Sequence, residues 1–227
     1  MNVQDRRRIL GPAGAKPLVF ANSEAKVENS KETTVGKDSN ISLQKGIISN
    51  SNGSSIVETA GISLLTSVYG PRATRSMSFE PRATLNIILQ SNKFDTSNLK
   101  EISNFLISVL QCCVCLEKYP KSGIDLFINF NIEDEDELVQ YIPIMIMGCM
   151  IALIDADIEV SDIIGGLTID HTAVCLGQNG DQLLGLWKDP STNSNEQESL
   201  ELTEIIQKCQ EQYSSSRQQL IEFISNC

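Results

Sequence analysis

Between Leu99 and Leu116 the apolar positions fall at Leu99, Ile102, Phe105, Leu106, Val109, Leu110, Cys113 and Leu116. Steps of three and four residues mark one buried face of an α-helix. Asn98, followed three positions later by Glu101, has the form of a capping box, and Pro120 closes the segment. Upstream the period changes. "ISLQKGIIS", "SSIVETAG" and "ISLLTSVYG", beginning at Ile41, are short β-type runs broken by Asn, Gly and Ser, and they read as a meander. Further strands are predicted at Thr84–Gln90 and over "SGIDLFINFN", Ser122–Asn131.

One run is apolar on every side. "LVQYIPIMIMGCMIALI", Leu138–Ile154, carries no charge and lies between the acidic stretch Glu133–Glu137 and the acids of "DADIE". It is barely long enough to cross a bilayer, it contains Gln140, Tyr141 and Pro143, and no Lys or Arg marks either end. The expectation is therefore a helix enclosed in a soluble core, with no membrane. The acidic stretch suits its N-terminus, and Pro143 belongs in its first turns or at a bend. "LTIDHTAVCLGQNGDQLLGLW" reads as two strands turning at Asn179-Gly180. Residues 189–197 read as a polar loop. A last helix is expected from Glu198 to Ile224, with its stripe at Leu202, Ile205, Ile206, Cys209, Tyr213, Leu220, Ile221 and Ile224. This order of elements predicts an α/β (α+β) fold of mixed sheets, with helices packed between and around them.

Composition narrows the class. The 227 residues suit one large domain or two halves sharing a core, and with aromatics at 5% that core must be mostly Ile, Leu, Val and Met. The formal net charge is −11. It is unevenly spread: residues 1–45 hold eight Lys/Arg against five Asp/Glu, and the remainder ten against twenty-four. A broad basic footprint on nucleic acid is thus excluded, and any such contact needs a small local cluster or partners that add charge. Seven cysteines behind a start, "MNVQDRRRIL", that has no apolar stretch read as reduced thiols inside a cell. Residues 1–40, with Arg6–Arg8 and the aperiodic polar segment Ala21–Asn40, are expected to be an arm and a flexible segment; residues 41–227 are expected to be the folded domain.

Candidate chemistry is sparse. Cys112, Cys113 and Cys115 point in different directions on a helix and have no second ligand pair, so they read as small core residues rather than a metal site. His171 is the single histidine, on a strand beside Asp170 and near Cys175, without the turn or partners a nucleophile needs. Gly165-Gly166 lacks the rest of a phosphate loop. Glu133–Glu137 lacks the alternating ligands of a cation loop. Asp155, Asp157 and Asp162 read as a helix exit and turn. No cofactor and no metal are expected. That leaves "SLLTSVYGPRATR", in which an apolar strand ends in a Gly-Pro turn followed by Arg72 and Arg75. Guanidinium groups held there suit phosphate oxygens without regard to base, or equally the carboxylates of this chain or a neighbour.

Taken together, "NGSSIVETAG", "SLLTSVYGPRATR", "LKEISNFL", "YPKSGIDLFI" and "IALIDADIEVSDIIGG" resemble the RNase PH family in order and spacing, from about residue 41 onward. "MNVQDRRRILGP" and "YPKSGIDLFI" are most similar to one fungal type of exosome core ring subunit within it. The resemblance implies an RNase PH-like fold and pairing with other RNase PH-like exosome subunits in a hexameric ring. It also implies RNA-binding cap subunits on one face, RNA threaded through the central channel, and residence in nucleus, nucleolus and cytoplasm. Active members cleave RNA with inorganic phosphate, which needs cations to hold the phosphate and a carboxylic acid at the scissile bond. The family's phosphate-binding arginine precedes the helix that begins here "LKEISNFL"; this chain has Ser97 and Asn98 there, with Lys100 nearby. The second basic element, which opens the buried helix, reads "LVQYI" here. Asp170 falls at the family's catalytic aspartate. The resemblance therefore implies a structural, non-catalytic subunit, with Arg72 and Arg75 as candidate RNA-binding residues. The competing reading is an active phosphate-dependent 3'-to-5' exoribonuclease that uses Lys100, Arg72 or Arg75 to hold phosphate.

Overall fold

Asn, Gly and Ser interrupt the apolar runs where the chain must reverse. β1 (Ser42–Lys45), β2 (Gly53–Glu58) and β3 (Ile62–Ala73) accordingly form an antiparallel meander. β4 (Thr84–Gln90) alternates buried and exposed residues without a break and pairs in parallel with β5 (Ser122–Ile132), which is antiparallel to β3. The five strands stand in the order β1-β2-β3-β5-β4. The parallel pair needs a crossover, and helix α1 (Thr96–Gln111) supplies it. This computed structural model describes residues 41–59, 61–74, 80–132, 138–169, 171–188 and 202–225. Arg6–Arg8, Ala21–Asn40, Arg75, Glu133–Glu137, Asp170 and the loop 189–197 lie outside the described residues.

Helix α1 departs from its expected ends. Its N-cap is Asp95, without a side-chain cap bond, and Asn98 lies inside the helix, so the capping box is not formed. It stops at Gln111, although Cys113 and Leu116 continue the apolar period. Beyond it the chain pairs with a distant segment: the Cys115 amide donates to Glu159 O at 3.0 Å, the Ser161 amide to Cys113 O at 2.7 Å, and Val114 bridges Val160. Those bonds hold Cys113 and Leu116 in the core beyond the end of the α-helix, with Leu116 opening a 3-10 turn.

Leu138–Tyr141 forms a 3-10 turn that leads into helix α2 (Ile142–Asp155), with Pro143 in the first turn, where a missing N–H costs nothing. Met145, Ile146, Cys149, Met150, Ala152 and Leu153 are wholly buried. The apolar run is therefore the core of the molecule, wedged between the five-stranded sheet and a second sheet. That second sheet has three strands: β6 (Gly165–Ile169), β7 (Thr172–Gly177) and β8 (Gln182–Lys188). The expected hairpin at Asn179-Gly180 is present, but the preceding strand is really two. Ile169 pairs with Thr172 across the fold-back, where His171 has φ +58°, which places that histidine on a turn and not on a strand. Every residue of β7 is buried, because α2 covers one face of this sheet and helix α3 (Leu202–Ser225) the other. Along α3 the buried residues are Ile205, Cys209, Tyr213, Leu220 and Phe223; Phe223 was absent from the expected stripe. The outer face of the five-stranded sheet, with Leu65, Tyr69 and Phe127 half-buried and Ile88 43% exposed, is covered by no other element among the described residues.

Candidate nucleic-acid interface

The end of β3 is shaped by a glycine. At φ +135°, Gly70 occupies backbone space closed to other residues, and a Cβ there would lie 2.6 Å from the Gly123 carbonyl oxygen. Its amide donates to Asn52 Oδ1 at 3.0 Å, and the pairing register with β5 shifts between Tyr69 and Arg72. This irregularity brings the Arg72 guanidinium back over its own strand. Nη2 is ion-paired with Asp125 Oδ2, and the guanidinium carbon lies 6.0 Å from the centre of the Tyr69 ring. The second oxygen of Asp125 accepts from Asn86 Nδ2 at 2.9 Å. Tyr69 in turn meets Phe127 edge-on, with ring centres 5.6 Å apart. Arg72 thus has an acid partner within this chain, although its side chain remains 60% exposed.

Ser54, which follows Gly53 at the start of β2, has a structural task. Ser54 Oγ accepts from the amides of Ile47 and Ile48 at 2.8 and 2.9 Å, fixing the loop between β1 and β2. The Ser54 amide donates to Asp155 Oδ2 at 2.9 Å, at the exit of α2. Asp162, the other acid expected at that exit, accepts from the Gln178 amide and from Arg217 Nη2 at 3.2 Å. Tyr213, one turn before Arg217, donates its hydroxyl to Ile163 O at 3.1 Å, and burial pushes its phenol up to about 12. This fastening of α3 to the second sheet was invisible to sequence reasoning, since nothing in the pattern links residue 162 to residue 217.

A cleft opens beside the segment "LVQYI" that leads into α2. It is lined by Gln140, Pro143 and Met147 at the start of α2, and by Thr168, His171 and Ser216. No Lys or Arg is among its described lining residues. Lys100 opens into a different groove, with Asn86, Asn104 and Asp125. The structure therefore gathers Gln140, Thr168 and His171 and leaves Lys100 apart. Cys175 is buried in β7 with its thiol pushed up to about 12, whereas His171 is exposed on its turn. Of the cysteines near the end of α1, Cys112 is exposed, Cys115 half-buried and Cys113 buried, its thiol raised to about 12 chiefly by burial.

A mixed sheet with a βαβ crossover, a helix buried against it and a second, antiparallel sheet beyond define an RNase PH-like fold. Solved structures share it. Rice Rrp46 superimposes with a TM-score of 0.61 at 17% identity, covering 82% of this chain and 92% of that one. A chain of the Archaeoglobus fulgidus exosome with RNA bound to the active site gives 0.58 at 13% identity, covering 78% and 87%. Residues 39–159 match RNase_PH, the 3' exoribonuclease family, domain 1, and the chain belongs to that family. Among curated relatives, exosome complex component mtr3 of Schizosaccharomyces pombe is 27% identical over 83% of this chain and 72% of its own length. Exosome complex component Rrp41 of Pyrobaculum calidifontis is 30% identical over 62% of this chain and 61% of its own length.

Proposed function

We propose that this chain is a non-catalytic subunit of an RNA exosome core ring, supporting 3'-to-5' RNA processing and degradation through its place in the ring and along the RNA path. The observation that carries the reading is the cleft at the start of α2. An attacking phosphate needs cations around it, and the described lining of this cleft, beside the segment to which the resemblance assigns the family's second basic element, supplies Gln140, Pro143 and Met147 instead. The separation of Lys100 into another groove weighs against the competing enzymatic reading. Its partners are other RNase PH-like subunits in a hexameric ring, RNA-binding cap subunits, and RNA in the central channel, in nucleus, nucleolus and cytoplasm. Residues 41–227 form the RNase PH-like domain, and Arg72 and Arg75 face the RNA backbone. Two measurements test this. The purified chain, given single-stranded RNA and inorganic phosphate, releases no nucleoside diphosphate; release would restore the enzyme. In the reconstituted ring, R72E with R75E reduces crosslinking of this chain to threaded RNA; unchanged crosslinking would remove the arginines from the path.

A further inference from the structure

We propose that Asp125 is a resident competitor for phosphate at Arg72, and that it sets how weakly this part of the chain grips RNA. The inference rests on the reading of Arg72 as an RNA contact. Its basis is a three-residue relay across β3, β5 and β4: Arg72 Nη2 pairs with one oxygen of Asp125, and Asn86 Nδ2 holds the other at 2.9 Å. The carboxylate is the sheltered member, 24% exposed against 60% for Arg72, so the acid stays in place while the guanidinium faces solvent.

A phosphodiester oxygen offers a guanidinium the same acceptor chemistry as a carboxylate. It therefore competes with Asp125 for Nη2, and a two-pronged grip on phosphate that uses this nitrogen needs Asp125 to give way. An exposed pair of this kind is worth about 1 kcal/mol or less, so displacement is possible but always opposed. While paired, Arg72 and Asp125 sum to zero charge and draw no counterion-release affinity from RNA. A strand that must slide past benefits from such a contact, because it is made and broken cheaply at each phosphate.

The test uses the full chain and a labelled single-stranded oligouridine, with binding followed by fluorescence anisotropy across a salt series. Asp125→Asn keeps the acceptor for Asn86 and removes the charge. Binding is expected to tighten roughly two- to fivefold, with the salt dependence growing by about one phosphate contact. The gain must vanish in the double variant with Arg72→Ala. Asp125→Ser, which removes the charge by another route, must reproduce the gain and serves if Asp125→Asn does not fold. If wild-type binding depends on Arg72 but neither Asp125 variant tightens it, the competition is refuted and the RNA contact stands. A gain that survives in the Arg72→Ala double variant refutes it as well, as a general charge effect. If Arg72→Ala and both Asp125 variants all bind like wild type, the RNA contact itself falls.

Discussion

The backbone amide of Ser54 donates to the carboxylate of Asp155 at 2.9 Å, across 101 positions of sequence. This one bond ties the start of β2 to the last turn of α2, and the rest of the corner depends on it. Gly53 lies so close to the helix that a Cβ would meet the Ala152 carbonyl oxygen and the Ala156 amide nitrogen at 2.4 Å. A serine preceded by a glycine is therefore what the corner demands: the glycine for the approach, the serine for the loop.

Ser54→Ala strands the Ile47 and Ile48 amides that its hydroxyl oxygen accepts. The expected loss is about 1–3 kcal/mol, the usual cost of a partly buried donor left unpaired. Gly53→Val forces the helix away and destabilises more than Ser54→Ala. Urea unfolding of the two variants beside the wild type checks both the size and the order.

Alkali should loosen the protein, and neutral pH should not. Burial raises the Cys113 and Cys175 thiols from 9.0 to about 12, and Tyr213 from 10.0 to about 12. The unfolded chain ionises these groups at their ordinary values, while the folded chain holds them neutral. Stability is then fully present below about pH 9 and declines as pH climbs from there toward 12. Denaturant midpoints measured from pH 8 upward test the direction, which is the reverse of acid denaturation.

Thiol labelling should follow burial. Among the described cysteines, Cys112, exposed at the end of α1, is expected to alkylate first in the native protein. Cys113, Cys149, Cys175 and Cys209 are buried and wait for unfolding. Peptide mass spectrometry after timed alkylation gives the order, and native-state labelling of Cys149 at the rate of Cys112 would contradict the packing of α2.

The outer face of the five-stranded sheet should be needed for association and not for folding. Leu65 is half-buried and Ile88 43% exposed, and neither packs under another described element. Leu65→Lys and Ile88→Lys are expected to leave stability within about 0.5 kcal/mol, as surface substitutions do. The same changes should weaken co-purification with an RNase PH-like partner, read by size-exclusion chromatography of the mixed proteins.

Local pattern made some elements legible and tertiary pairing hid others. β4 was readable to the residue because its alternation runs unbroken from Thr84 to Gln90. Helix α2 was readable as core because the run Leu138–Ile154, which holds all of it but Asp155, carries no charge. The end of α1 was not, since Cys113 and Leu116 keep the helical period while their burial comes from pairing with residues 159–161. The fold-back at His171 was missed because Asp-His is not a turn pair that sequence rules single out. At the candidate site, the Gly-Pro turn and its arginine stood out in the chain. The acid that meets Arg72, 53 residues on, did not, because only the register of β3 against β5 brings them together.

The family match ends at residue 159, yet residue 160 closes the bridge to Val114, and the strands beyond it cover the far side of α2. Truncation at that homology border would leave a hydrophobic rod lying bare on a half-built scaffold. Such a fragment should precipitate rather than fold, and workable expression boundaries must carry the polypeptide through Phe223, whose ring belongs to the same interior.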